Sequence, residues 1–171
     1  RLFIATSALH GVEGYTGSAI QLGIIDEWTA KAPTYDLLLI HGVNPFGFHY
    51  KRRVNKDNID LNRNATLPGA PRENPGYDRV RHLFNPGTPL LGKPWKQRAL
   101  MLRILGYAAI NKKSVKAAFL SGQYNDPKGP FYGGEELAEE IINVGDILCE
   151  LAPDYDVYGH LDLHTGYGNR G

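Results

Sequence analysis

His10 and Glu13 stand three residues apart in the turn His10-Gly11-Val12-Glu13-Gly14, directly after the apolar run Leu2 to Ala8. An imidazole and a carboxylate at that spacing can converge on one cation. The pattern alone is weak in a chain with six histidines, but its placement strengthens it, because ligands of open α/β sheets gather beyond the carboxyl ends of the strands. Zinc favours nitrogen and oxygen donors, and a catalytic zinc takes three protein ligands plus water. A third donor is available from His160, Asp162 and His164, whose spacing of two puts them on one face of a strand. His164 comes at the end of that strand. His160 lies about 13 Å back at about 3.3 Å per residue, too far to share the ion, and reads as a structural or wall histidine. Asp162 is placed to orient the neighbouring His164, as carboxylates beside metal-binding histidines do. With one cysteine, Cys149, no cysteine-based zinc site and no intramolecular disulfide can form.

The middle of the chain supplies cations. Lys51-Arg52-Arg53 precedes Asn55, and Asp60-Leu61-Asn62-Arg63-Asn64 follows. Such a run can be a solvated basic surface. An arginine near a metal-bound carbonyl would instead stabilise a developing oxyanion. A second arginine beside an asparagine could grip a substrate carboxylate through two parallel hydrogen bonds, and Arg63 next to Asn62 has that composition. Further on, Tyr124, Phe131 and Tyr132 sit among Gly and Pro in the loop Gln123 to Gly134. They form either a wall or lid over the site, or a surface loop whose rings cover core.

These residues need a scaffold. Leu2–Ala8 and Asp36–Val43 read as buried strands, with a helix from about Thr16 to Ala30 between them carrying Ile20, Ile24, Ile25 and Trp28 at helical spacing. Strand, helix, strand in some 40 residues predicts a parallel pair joined by a crossover helix. Asn44 to Pro94 reads as a long loop, functional by its length, with a short helix near Tyr77–Leu83. Helices are expected over Trp95–Asn111, with Leu100, Ile104 and Ala108 on one face, and over Glu135–Leu151. Ser114–Leu120 and Tyr155–Leu163 are the third and fourth expected strands. The resulting fold class is α/β, a mainly parallel mixed sheet flanked by helices.

The 171 residues fit one domain, 42% hydrophobic and 22% charged, close to ordinary globular usage. The net charge of +1 provides no electrostatic case for nucleic acid or an anionic membrane as partner. No apolar run reaches the roughly 20 residues needed to span a bilayer. No signal peptide is visible, and the compartment stays open with a lean to the cytoplasm. The chain starts inside a strand-like run and stops in a glycine-rich loop, so it is expected to be one part of a zinc-hydrolase domain truncated at both ends.

Four stretches in order, HGVEG, NPFGF, RRVNKDNIDLNRN and DLHTG, resemble the zinc carboxypeptidase superfamily, which includes carboxypeptidase A, succinylglutamate desuccinylase and aspartoacylase. The likeness covers essentially the whole chain and is greatest to a bacterial branch of carboxypeptidase-like proteins that also carries a stretch similar to SGQYNDPKGPFYGG. The resemblance implies a carboxypeptidase-like (phosphorylase/hydrolase-like) fold and Zn2+ bound by His10, Glu13 and His164. It implies that Arg53, seven residues before Asp60, polarises the scissile carbonyl, with Arg52 the weaker candidate. It implies that Asn62 and Arg63 bind the substrate's terminal carboxylate. The general base of the superfamily is a glutamate on a later strand, expected beyond residue 171. Glu135, Glu136, Glu139 and Glu140 lie instead on a helix and read as a solvated face. The implied activity is zinc-dependent hydrolysis of an amide bond next to a free carboxylate, first as a metallocarboxypeptidase acting on peptides. The alternative is a deacylase of N-acyl amino acids. An alternative of another class is a non-catalytic zinc- or carboxylate-binding module.

Overall fold

Leu2–Ser7 forms the central strand, β1, of a three-stranded sheet. Its run LFIATS is buried at every position but Phe3, as suits a parallel strand covered on both faces. In the computed structural model, residues 1–66, 69–70, 72–84, 92–111, 115 and 120–164 are described. β2 (Asp36–Ile40) and β3 (Tyr158–Leu163) flank β1, and both pair with it in parallel. The register sets Thr6 opposite Ile40 on one side and Asp162 on the other. All three strands therefore end at one edge, and the chain leaves that edge toward His10, His41 and His164. The protein is α/β, with a parallel sheet flanked by helices, and the described strands contain no antiparallel member.

Helix α1 (Gly14–Lys31) crosses from β1 to β2. Its buried positions are Gly14, Gly17 and Gln21, not the expected apolar stripe, of which Ile20 and Ile25 are largely exposed. Small residues let the helix lie directly on β1. Gln21 then satisfies Ser7 Oγ, which donates to its Oε1 at 2.8 Å, and donates to the Ala5 and Ile40 carbonyls. A buried amide with its bonds made costs little; one left unpaired would cost about 1–3 kcal/mol.

The segment Asn44 to Pro94, expected to be mostly loop, contains three helices among its described residues: α2 (Pro45–Tyr50), α3 (Leu61–Asn64) and α4 (Pro75–Phe84). Two are a turn or so long, too short for a periodic pattern, and each is set by its cap. Asn44 Oδ1 accepts from Gly47 N, and Asp60 accepts from Asn62 N. Helix α5 (Pro94–Ile110) packs Ile104 and Tyr107 against Tyr77, Val80 and Leu83 of α4. Helix α6 runs Glu139–Leu151 and starts four residues later than expected. Before it, Asn64 Oδ1 accepts the Ala138 N–H, which holds that segment out of the helix. A second core joins Val43, Leu61 and Ala138 with Leu9, Ile59, Ile141 and Val144. β3 starts at Tyr158 because Ala152–Asp154 is a short 3-10 turn. The strand expected over 114–120 lies outside the described residues except for Val115 and Leu120, which are helical. Among the described residues no helix is long and apolar enough to cross a membrane.

Candidate functional site

The turn after β1 is pinned against α2. A Cβ on Gly11 would lie 1.9 Å from the Gly47 backbone carbon, so only glycine permits this approach. The Val12 N–H donates to the Arg52 carbonyl. This close contact holds His10 and Glu13 at the carboxyl edge of the sheet.

His10 is 1% exposed. Its Nδ1 lies 3.2 Å from Glu13 Oε1, and its Nε2 lies 3.0 Å from Asp60 Oδ1. Asp60, also fully buried, accepts four further hydrogen bonds: Asn62 N donates to Oδ1, Arg53 Nε donates to Oδ2 at 2.9 Å, and Arg63 N and Asn64 N donate to its carbonyl. Burial alone would push the Asp60 carboxyl up. The hydrogen bond from His10 and the charge and hydrogen bond of Arg53 outweigh it and hold the group below the usual carboxylate range.

An ionised Asp60 makes Nε2–H of His10 the donor. In a neutral ring Nδ1 then carries a lone pair, and it faces another acceptor, the Glu13 carboxylate. Two acceptors 3.2 Å apart need a proton or a cation between them. Donors about 2.0–2.1 Å from one tetrahedral zinc lie about 3.3 Å apart, so the observed spacing fits a shared ion.

His164 follows β3 and meets His10 edge-on, with ring centroids 5.5 Å apart and planes at 80°. Its Nδ1 lies 2.5 Å from Asp162 Oδ2, so Nε2 is the nitrogen left for a ligand. Asp162 is steadied in turn by Thr6, whose hydroxyl donates to Oδ1 at 3.1 Å and lies 3.1 Å from His160 Nε2. His160 and Asp162 thus share one face of β3, where both meet Thr6, and His164 stands just past the end of the strand. A cleft of about 280 Å³ opens between α1 and β3, lined by Glu13, Thr16, Ile20, Asp162 and His164 among others. His10 and Glu13 fit a metal in kind and spacing and His164 fits in kind, but among the described residues no group of three or more His, Cys, Asp or Glu side chains is arranged to hold an ion.

Arg53 reaches the site through Asp60, and its side chain is 37% exposed. Its two terminal nitrogens make no hydrogen bond among the described residues. Arg52 is exposed and lies over Phe46. Asn62 and Arg63 stand on α3, the turn that Asp60 caps. Arg63 Nη1 donates to the Asn62 carbonyl, and its Nε is buried with no hydrogen-bond partner among the described residues. Gly122, at φ 69°, packs on the Arg63 side chain, and Tyr124 Oη donates to the Arg63 carbonyl at 2.6 Å. The aromatic loop is therefore seated on α3 and beside Arg53.

The supporting roles of Asp60 and Thr6 are not marked in the sequence. Asp60 is 50 residues from His10, and its only local signal is the helix-capping pattern of Asp before Leu-Asn-Arg. Thr6 reads as an ordinary strand residue, and nothing in its spacing marks it.

A family model described as "Protein of unknown function (DUF2817)" matches residues 1–171. No curated protein and no solved structure matches the chain.

Proposed function

The chain belongs to the DUF2817 family, and we propose that it carries the metal-binding part of a zinc-dependent hydrolase that cleaves an amide bond next to a free carboxylate, acting as a carboxypeptidase. His10, Glu13 and His164 would hold the ion. His164 would bind through Nε2, since its Nδ1 is turned to Asp162, and closing the set asks for its ring to move toward His10 and Glu13. The observation that carries the reading is the buried His10, with Asp60 on one nitrogen and Glu13 on the other. A cation between Nδ1 and Glu13 satisfies both acceptors. The ordered resemblance to zinc carboxypeptidases over the same residues supports it from a separate direction.

When bound, the ion supplies a polarised carbonyl and a water of lowered pKa. The chain's residues do the rest that can be assigned. Asp60 fixes the His10 tautomer and ring orientation. Arg53 presents its terminal nitrogens to the carbonyl oxygen as charge develops there. Arg63, whose Nε has no partner among the described residues and which has Asn62 beside it, binds the substrate carboxylate, the ligand class that suits a guanidinium fork. The full protein should release the C-terminal residue of a peptide. It should lose that activity to a chelator, regain it with zinc, and fail on the same peptide amidated at its C-terminus. Chelator-resistant cleavage, or equal cleavage of the amide, would refute the reading.

A further inference from the structure

Phe131 has a backbone φ of 58°. That left-handed region is cheap for glycine and unfavourable for a bulky aromatic, and such strain persists only where the surroundings enforce it. The enforcing parts are visible. Gln123 is 2% exposed. Its Oε1 accepts from the Asn125 and Asp126 N–H groups, and its Nε2 donates to the Asp126 and Pro130 carbonyls. The Gln123 N–H donates to the Phe131 carbonyl, which closes the loop. The next residue fastens it to the site, because the Asp60 N–H donates to the Tyr132 carbonyl at 2.7 Å. Held this way, the Phe131 ring stands 5.5 Å from Arg53 Cζ, while Arg53 Nε is held by Asp60.

We propose that Phe131 is a positioning residue for Arg53: the guanidinium carbon stands over its ring, Asp60 holds Nε, and the two terminal nitrogens are left for use on substrate. The proposal rests on the reading that Arg53 serves the scissile carbonyl. A long side chain that is more than a third exposed would otherwise sample many rotamers. A ring face on one side and a carboxylate on the other remove most of them before substrate arrives, and the ring attracts the cation. Plain core filling does not account for an aromatic in a glycine conformation, since the same loop path would be less strained with glycine.

The backbone geometry provides the test. Phe131→Gly removes the ring at a position whose φ suits glycine, so the loop is retained. In the full protein, with a C-terminal peptide substrate and zinc present, kcat should fall about tenfold with KM within about twofold. Phe131→Tyr should restore kcat, and Phe131→Gly should add nothing in an Arg53→Ala background. Independently of activity, phenylglyoxal should modify Arg53 several-fold faster in Phe131→Gly than in the parent or in Phe131→Tyr, read by peptide mass mapping. A parent protein without hydrolase activity would remove the reading of the site, while the modification rate would still decide whether Phe131 holds Arg53. An unchanged kcat, a change confined to KM, or an unchanged modification rate would overturn the proposal.

Discussion

Asp60 Oδ1 lies 3.0 Å from His10 Nε2, and both side chains are buried, although 50 residues separate them. This contact decides which histidine nitrogen is left for a ligand. Asp60→Asn keeps the shape but can present its NH2 group where an acceptor is needed. Zinc affinity should fall about 10–100-fold, the usual cost of losing such a support, in competition with a chromophoric chelator. An unchanged affinity would mean that Asp60 only holds Arg53 and the α3 turn.

Arg63 and Arg53 should separate kinetically. A carboxylate clamp acts on substrate and transition state alike, so Arg63→Ala should chiefly raise KM. A charge directed at the oxyanion acts as the charge develops, so Arg53→Ala should chiefly lower kcat, by about 100-fold or more. Amidating the substrate should weaken binding to the parent and hardly affect Arg63→Ala. If both substitutions merely lower the melting temperature and treat free and amidated substrates alike, the division of labour is wrong.

Thr6 ties His160 to Asp162, and Asp162 meets His164. Thr6→Val keeps the volume and removes the hydroxyl, which leaves Asp162 Oδ1 and His160 Nε2 short of a partner. Stability should fall by about 0.5–1.5 kcal/mol, the net worth of a hydrogen bond whose partners water can reach. Zinc affinity should fall as well, because Asp162 is then freer to turn from His164. Loss of stability with unaltered zinc affinity would confine Thr6 to a packing role.

Asn64 is a test of the scaffold apart from the chemistry. Its Nδ2 donates to the Gly133 and Glu136 carbonyls, and its Oδ1 accepts from Ala138 N. It therefore joins α3, the aromatic loop and the approach to α6. Asn64→Ala should cost about 2–4 kcal/mol, since buried backbone groups are left unpaired, measured by urea unfolding. A loss below about 0.5 kcal/mol, the ordinary range for a surface change, would contradict this.

Much of this arrangement was legible in the residues alone. The three strands of the sheet announced themselves as short apolar runs, though the similar run 114–120 is helical at Val115 and Leu120, and the parallel order followed from the helix between the first two. The His10–Glu13 turn and the alternation of His160, Asp162 and His164 could be placed at one sheet edge because each follows directly from a strand. What escaped is of two kinds. Helices α2 and α3 are too short for periodicity to reveal, and their caps are visible only once their positions are known. Gln21, Thr6 and Asp60 act through partners distant in sequence, and no local pattern encodes such a contact. The apolar positions of α1 misled for a related reason: small residues at Gly14 and Gly17 determine which face approaches the sheet.

The central claim, that His10, Glu13 and His164 hold one zinc, is tested most directly by the metal content of the full protein. Elemental analysis should find one zinc per chain in the parent and little in His10→Ala or His164→Ala, with circular dichroism showing both variants folded. Full zinc occupancy in folded His164→Ala would contradict the account.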